Sequence, residues 1–200
     1  MYMGDVKSKT FLDTNASSAT YVAAAAQPTS TFTLANSSFG TNTARKITAT
    51  TAGTGDNGKT VTIVGKDHNN EDATEVITLT GSAETSSGTT TAFLSITSAT
   101  VSAQPAANVS LGMTADVFGS VFQGRTRVRQ VNAESGGSIG SVLFRDGSLT
   151  GTALLTVRTG ATAGDVNTVN IPQDGILYKD GAFVTFDETQ CNSATVYFDG

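Results

Sequence analysis

Residues Gly53-Thr54-Gly55-Asp56-Asn57-Gly58-Lys59-Thr60 match the pattern of a phosphate-binding P-loop position by position. In such a loop, backbone N–H groups and the lysine cradle phosphate oxygens, and a helix that opens directly afterwards aims its positive end at them. Here the following residues, Val61-Thr62-Ile63-Val64, are β-branched and alternate, so a strand follows and no helix completes the site. Asp67, Asn69, Glu71 and Asp72 gather oxygen ligands in one loop. That loop lacks the glycine and distal glutamate of a calcium-binding helix–loop–helix, and a solvated turn accounts for it. His68, the one histidine, lies in the same loop with no second histidine to form a metal site. Cys191 stands between Gln190 and Asn192, with no basic neighbour to activate its thiol, and no Gly-x-Ser-x-Gly elbow is present. The expectation is a chain without catalysis, metal or cofactor.

A row of cations has a different reading. Arg125, Arg127 and Arg129 alternate with Thr126 and Val128. On a strand the three guanidiniums share one face at intervals of about 7 Å. Such a row can grip carboxylates, or it can serve as a solvated edge that discourages strand-to-strand aggregation. Together with Phe11, Leu12, Tyr21 and Val22, apolar anchors set among Ser, Thr and Asn near the N-terminus, these arginines are the candidate partner-binding residues.

Strands must position all of these groups. The stretch Gly58–Gly81 holds the clearest pair: Val61 and Ile63 alternate with threonines, and Ile77 and Leu79 do the same after a polar turn. Each run buries one face and wets the other, as a half-buried hairpin does. A lone hairpin is marginal in water, so further strands must cover it. Similar short runs recur to the C-terminus, where Lys179-Asp180-Gly181 separates two apolar runs and reads as a hairpin turn.

Composition narrows the class. Hydrophobic residues make up 38% and charged residues 14% of 200, the balance being Ser, Thr, Gly, Asn and Ala. Low charge with recurring Val, Ile, Thr and Phe argues against disorder and for thin-cored β structure. A duplex-DNA binder displaces counterions with Lys and Arg; 12 basic residues against 17 acidic ones, net charge −5, exclude that as the main activity. No apolar run has membrane-spanning length. A single cysteine and the absence of a basic-then-apolar leader lead us to expect assembly in a reducing cytoplasm.

The expected fold is all-β: two small β-sandwich domains preceded by an extended N-terminal arm. The arm covers residues 1–28, an immunoglobulin-like β-sandwich covers 29–118, and a second sandwich or barrel-like module covers 119–200, with a linker near 114–119. "Immunoglobulin-like" denotes architecture alone, since the chain has no Trp and no disulfide pair.

The segment GKTVTIVGKDHNNEDATEVITLTG, followed by TAFLSITSATVSAQPAANVSLGM, resembles β-rich domains of tailed-bacteriophage virion proteins. The tail half, with GDVNTVNIPQDGILYKDGAFVTF and TVYFDG, is similar to small β modules of phage head and tail structural proteins. This resemblance implies a non-enzymatic structural protein that decorates the capsid exterior and binds across neighbouring subunits of the major capsid protein. Multiple copies or self-association are implied as well, with no nucleic acid or membrane partner. A tail or neck component, or a carbohydrate-binding adhesin module, is the alternative.

Overall fold

The computed structural model describes residues 5–51, 53–80, 88–172 and 174–200. Threonine and valine at alternating positions favour extended backbone. The described chain accordingly forms β1 (Val6–Leu12), β2 (Ala23–Ala26), β3 (Ala44–Thr51), β4 (Thr60–Asp67), β5 (Asp72–Thr78), β6 (Gly88–Val101) and β7 (Val109–Phe122). It continues with β8 (Thr126–Ser135), β9 (Gly140–Asp146), β10 (Ala153–Thr159), β11 (Val166–Asn170), β12 (Ile176–Tyr178), β13 (Ala182–Asp187) and β14 (Cys191–Asp199). One 3-10 turn, Thr54–Asp56, interrupts them, and the all-β expectation holds.

The division into units differs from the expected tandem order. One unit comprises Met1–Thr14, Gly40–Thr43 and Asp116–Gly200; the other comprises Asn15–Phe39 and Ala44–Ala115. The second is therefore inserted into the first, and the passage at 115/116 falls inside β7. Residues 114–119, read from the sequence as a linker, are the middle of that strand. They contain no proline, and Val117 and Gly119 keep up an inward alternation that a strand can use.

In the discontinuous unit, one sheet runs β1-β14-β8-β11, with β12 continuing alongside β8 beyond β11. The other runs β10-β9-β13 and ends on residues 116–122 of β7. The chain alternates between them: β8 in the first, β9 and β10 in the second, β11 and β12 in the first, β13 in the second, β14 in the first. With β1 in the first sheet and the latter part of β7 in the second, this is the connectivity of a jelly roll. Its core draws on both sheets, with Val128, Val131, Ala194, Val196 and Phe198 from one and Val117, Val142, Phe144 and Val184 from the other.

The N-terminal segment is consequently no free arm over residues 6–12. β1 pairs antiparallel with β14 from Val6↔Asp199 to Leu12↔Ser193. Phe11 is wholly buried in the jelly-roll core. Its ring lies over Gly119 so closely that a Cβ there would overlap it, so the glycine is what lets β1 dock. The Lys179-Asp180-Gly181 turn also differs from the expected hairpin: β12 pairs with β8, whereas β13 pairs with β7 and β9. The turn carries the chain from one sheet to the other. It is fastened to the β9–β10 connection, with Asp180 N–H donating to Asp146 Oδ1 (3.0 Å) and Gly147 N–H to Gly181 O (3.0 Å).

The inserted unit follows the path β2-β7-β3-β6-β4-β5. The expected β4–β5 hairpin is present, with Val61 opposite Ile77 and both buried. β6 changes neighbours along its length: residues 88–93 pair with β3 and residues 93–101 with β4. The core gathers Val22, Phe39, Ile47, Ile63, Phe93, Val109 and Leu111. Val22 is thus core rather than a partner contact, because its backbone bonds Leu111 O and its side chain sits on the apolar face of the sheet.

Candidate functional site

The P-loop look-alike is a structural knot. Asp56 is fully buried and spends both carboxylate oxygens internally. Oδ1 accepts from Lys59 Nζ (2.9 Å) and Ala106 N–H (2.6 Å); Oδ2 accepts from Thr51 Oγ1 (2.9 Å) and Ala107 N–H (3.2 Å). Lys59 also donates to Gln104 O (2.9 Å). The lysine that would have bound phosphate instead helps tie the 53–59 turn to the 104–107 segment. Burial by itself raises the pKa of Asp56, but the bonds from Lys59, Ala106, Thr51 and Ala107 outweigh it and hold the pKa at about 2.

The polar hairpin tip is organised in the same internal way. Asp67 Oδ1 accepts N–H bonds from Asn69 (2.8 Å) and Glu71 (3.0 Å), and Asn70 takes a positive φ of 66°. Asp72 pairs with Lys66 at 2.8 Å. Burial lowers the His68 pKa, against the opposing pull of Asp67 and Glu71. Among the described residues no three His, Cys, Asp or Glu side chains gather as metal ligands.

Cys191 is wholly buried in the jelly-roll core, and burial pushes its thiol up to about 12. The thiolate is the reactive species, so native protein is expected to resist thiol alkylation and to label only as it unfolds. Mass spectrometry of iodoacetamide-treated protein, with and without denaturant, checks this; fast native labelling would contradict the burial.

The candidate partner residues divide. Phe11 and Val22 lie in the cores of different units, and Tyr21 packs against Phe39 at 5.9 Å while donating to Ser38 O (3.2 Å). Leu12, Arg127 and Arg129 lie on the β1-β14-β8 sheet, with Leu12 38% exposed, and Arg125 lies in the bend just before β8. A bulge between Tyr197 and Phe198 disturbs the expected arginine row. It turns Arg129 onto Asp199, with Nε at 2.8 Å and Nη2 at 2.6 Å from Oδ2. Arg127 Nη1 reaches Asp174 O at 3.4 Å, and Arg125 stands exposed beside a 300 Å³ cavity lined also by Leu177 and Gly200.

The outward face of this sheet is laid out in cross-strand rows. Leu12, Ser193, Glu134 and Val166 form one; Thr10, Thr195, Asn132 and Thr168 the next. Ser8, Tyr197, Gln130 and Asn170 form a third; Val6, Asp199, Arg127 and Leu177 a fourth. Its middle is uncharged and polar, with Thr10 and Thr195 hydroxyls 2.9 Å apart and Gln130 Nε2 donating to Asn132 Oδ1 at 3.0 Å.

The opposite outer face of the jelly roll holds a groove of about 410 Å³ that sequence reasoning missed. Its floor is built from register partners on β9, β13 and β7: Leu143, Thr185 and Phe118 in one row, with Asp187 opposite Asp116 beside it. Leu149, from the β9–β10 turn, and Gln190, from the β13–β14 turn, also line it. Arg145 enters from β9, its Nη1 donating to Gly151 O (2.9 Å) and its Nε to Thr185 Oγ1 (3.5 Å). Alternation within β9 and β13 marks Leu143, Arg145 and Asp187 as one-sided, but three strands distant in sequence must meet before a groove exists.

Compared with protein families, curated proteins and solved structures, the chain matches none of them.

Proposed function

We propose that this chain is a non-enzymatic structural protein of a tailed-bacteriophage virion that decorates the capsid and stabilises it by binding across neighbouring major-capsid subunits. The observation that carries this reading is the open outer face of the β1-β14-β8-β11 sheet, which spreads Leu12 and Arg127 over one surface, with exposed Arg125 in the bend before β8 beside Arg127. A non-obligate interface is about as apolar as the rest of a protein surface, and this face, polar in the middle with Val6, Leu12, Val166 and Leu177 around it, has that character. The resemblance to phage β modules, which covers most of residues 45–113 and 150–200, supports the same assignment. The acidic balance of the chain suits an exterior position away from packaged DNA.

A protein that binds only the assembled shell stabilises it by linkage, and many copies gain through symmetry even where each contact is modest. Genome-free phage shells mixed with purified protein should bind it saturably and melt at a higher temperature. Charge reversal at exposed Arg125 should weaken binding without altering the protein's own melting. Absence of saturable binding to shells would overturn the proposal.

A further inference from the structure

We infer that the groove over β9, β13 and β7 of the jelly roll is a binding site for a neutral saccharide. The inference is independent of the virion reading, since it rests on this groove alone. At about 410 Å³ the groove falls within the size range of small-molecule sites. Its polar groups converge from three strands and a turn, as a positioned site requires.

Charge and hydrogen-bonding capacity select the ligand class. Asp116 and Asp187 are register partners on adjacent antiparallel strands, an arrangement in which like charges destabilise a sheet. A ligand that donates hydrogen bonds to both carboxylates repays that cost. Arg145 brings one cation to the same groove, so a polyanion meets two carboxylates and a polycation meets a guanidinium. A ligand carrying hydroxyl groups, each both donor and acceptor, meets neither penalty. Carboxylates accept from hydroxyls, while Arg145 and the Gln190 amide donate to them. Gln190 is held for this by its own Oε1, which accepts from Ser141 N–H at 3.2 Å. Phe118 and Leu143 supply an apolar floor for the C–H face of a sugar ring. The scarcity of aromatic residues in the sequence hides this, because a single well-placed ring suffices where the groove supplies the polar contacts.

The test uses the full chain. Short neutral hexose and N-acetylhexosamine oligosaccharides are screened on an array, and those bound are titrated by calorimetry and by backbone amide shifts. The expected result is saturable binding, with shifts concentrated at Asp116, Leu143, Thr185 and Gln190. Asp116→Ala, at an exposed position, should weaken it by about tenfold while raising thermal melting slightly, because it also relieves the like-charge pair with Asp187. Thr168→Ala, on the outer face of the other sheet of the jelly roll, should leave it unaltered. No bound oligosaccharide, shifts that map elsewhere, affinity unchanged in Asp116→Ala, or binding of a divalent cation in place of any sugar would each overturn the assignment.

Discussion

Arg45→Ala is expected to destabilise the inserted unit by about 3 kcal/mol, and to do so without disturbing the jelly-roll core. Arg45 is wholly buried on β3. Its Nη1 donates to Thr114 O (2.8 Å) and Ala115 O (2.7 Å), and its Nη2 donates to Asn15 O (3.1 Å). Asn15 and Ala115 are the first and last residues of the inserted unit. One guanidinium therefore closes the unit by joining the chain where it comes in to the chain where it goes out. Arginine suits the task because its planar fork presents several donors at once, whereas a lysine ammonium is a single point. Alanine leaves three carbonyls without this donor and a cavity where the side chain lay. Arg45→Met fills much of that space but restores no donor, so it should recover only part of the loss. Amide hydrogen exchange should locate the effect, with protection falling at Val22, Leu111 and Met113 while Val131 and Val196 keep theirs. Uniform loss across both units would contradict the clamp.

Asp56→Ala should cost about 2 kcal/mol near neutral pH and free the 104–107 segment. The estimate is set below that for a fully enclosed ion pair because Lys59 keeps 24% of its side chain in solvent and can rehydrate. The same carboxylate gives stability a predictable acid dependence. Its pKa is about 2 in the folded chain against an ordinary 3.8. The unfolded chain therefore binds the proton more readily, and the stabilisation is present in full above the unfolded value. It is lost as pH falls from about 4 through about 2. Glu75 acts in the same direction: burial raises its pKa, but bonds from the Thr90 and Thr91 backbone N–H groups outweigh this and lower it. Denaturant titrations at a series of pH values should show wild type losing stability through this window. Asp56→Asn, which cannot titrate, should show a shallower loss there, and an unchanged slope would rule Asp56 out as the source.

Much of the local structure was legible in the residues themselves. Alternation alone puts Val61, Ile63, Ile77 and Leu79 on buried sides of their strands, and all four are buried, while Val76 beside Ile77 is 54% exposed. The β-branched run behind the P-loop look-alike argues for a strand in place of a helix, and that run forms β4. The arginine row was less legible. Alternation placed three cations on one face, but a bulge, set by how β14 registers on β8, redirected the third to Asp199.

Period-two patterning, low charge and β-branched composition thus determined that this is an all-β protein and which side of many strands is wet. Tertiary structure alone decided which strands are neighbours. Strand pairing joins residues far apart in sequence, and the polar/apolar alternation of β1 is satisfied equally by a free arm docking elsewhere or by β14 of the same chain. The apolar side of Phe11, the room left by Gly119 and the register with β14 settled that choice, which made the N-terminal strand part of the C-terminal unit and turned two expected tandem domains into one jelly roll carrying an insertion.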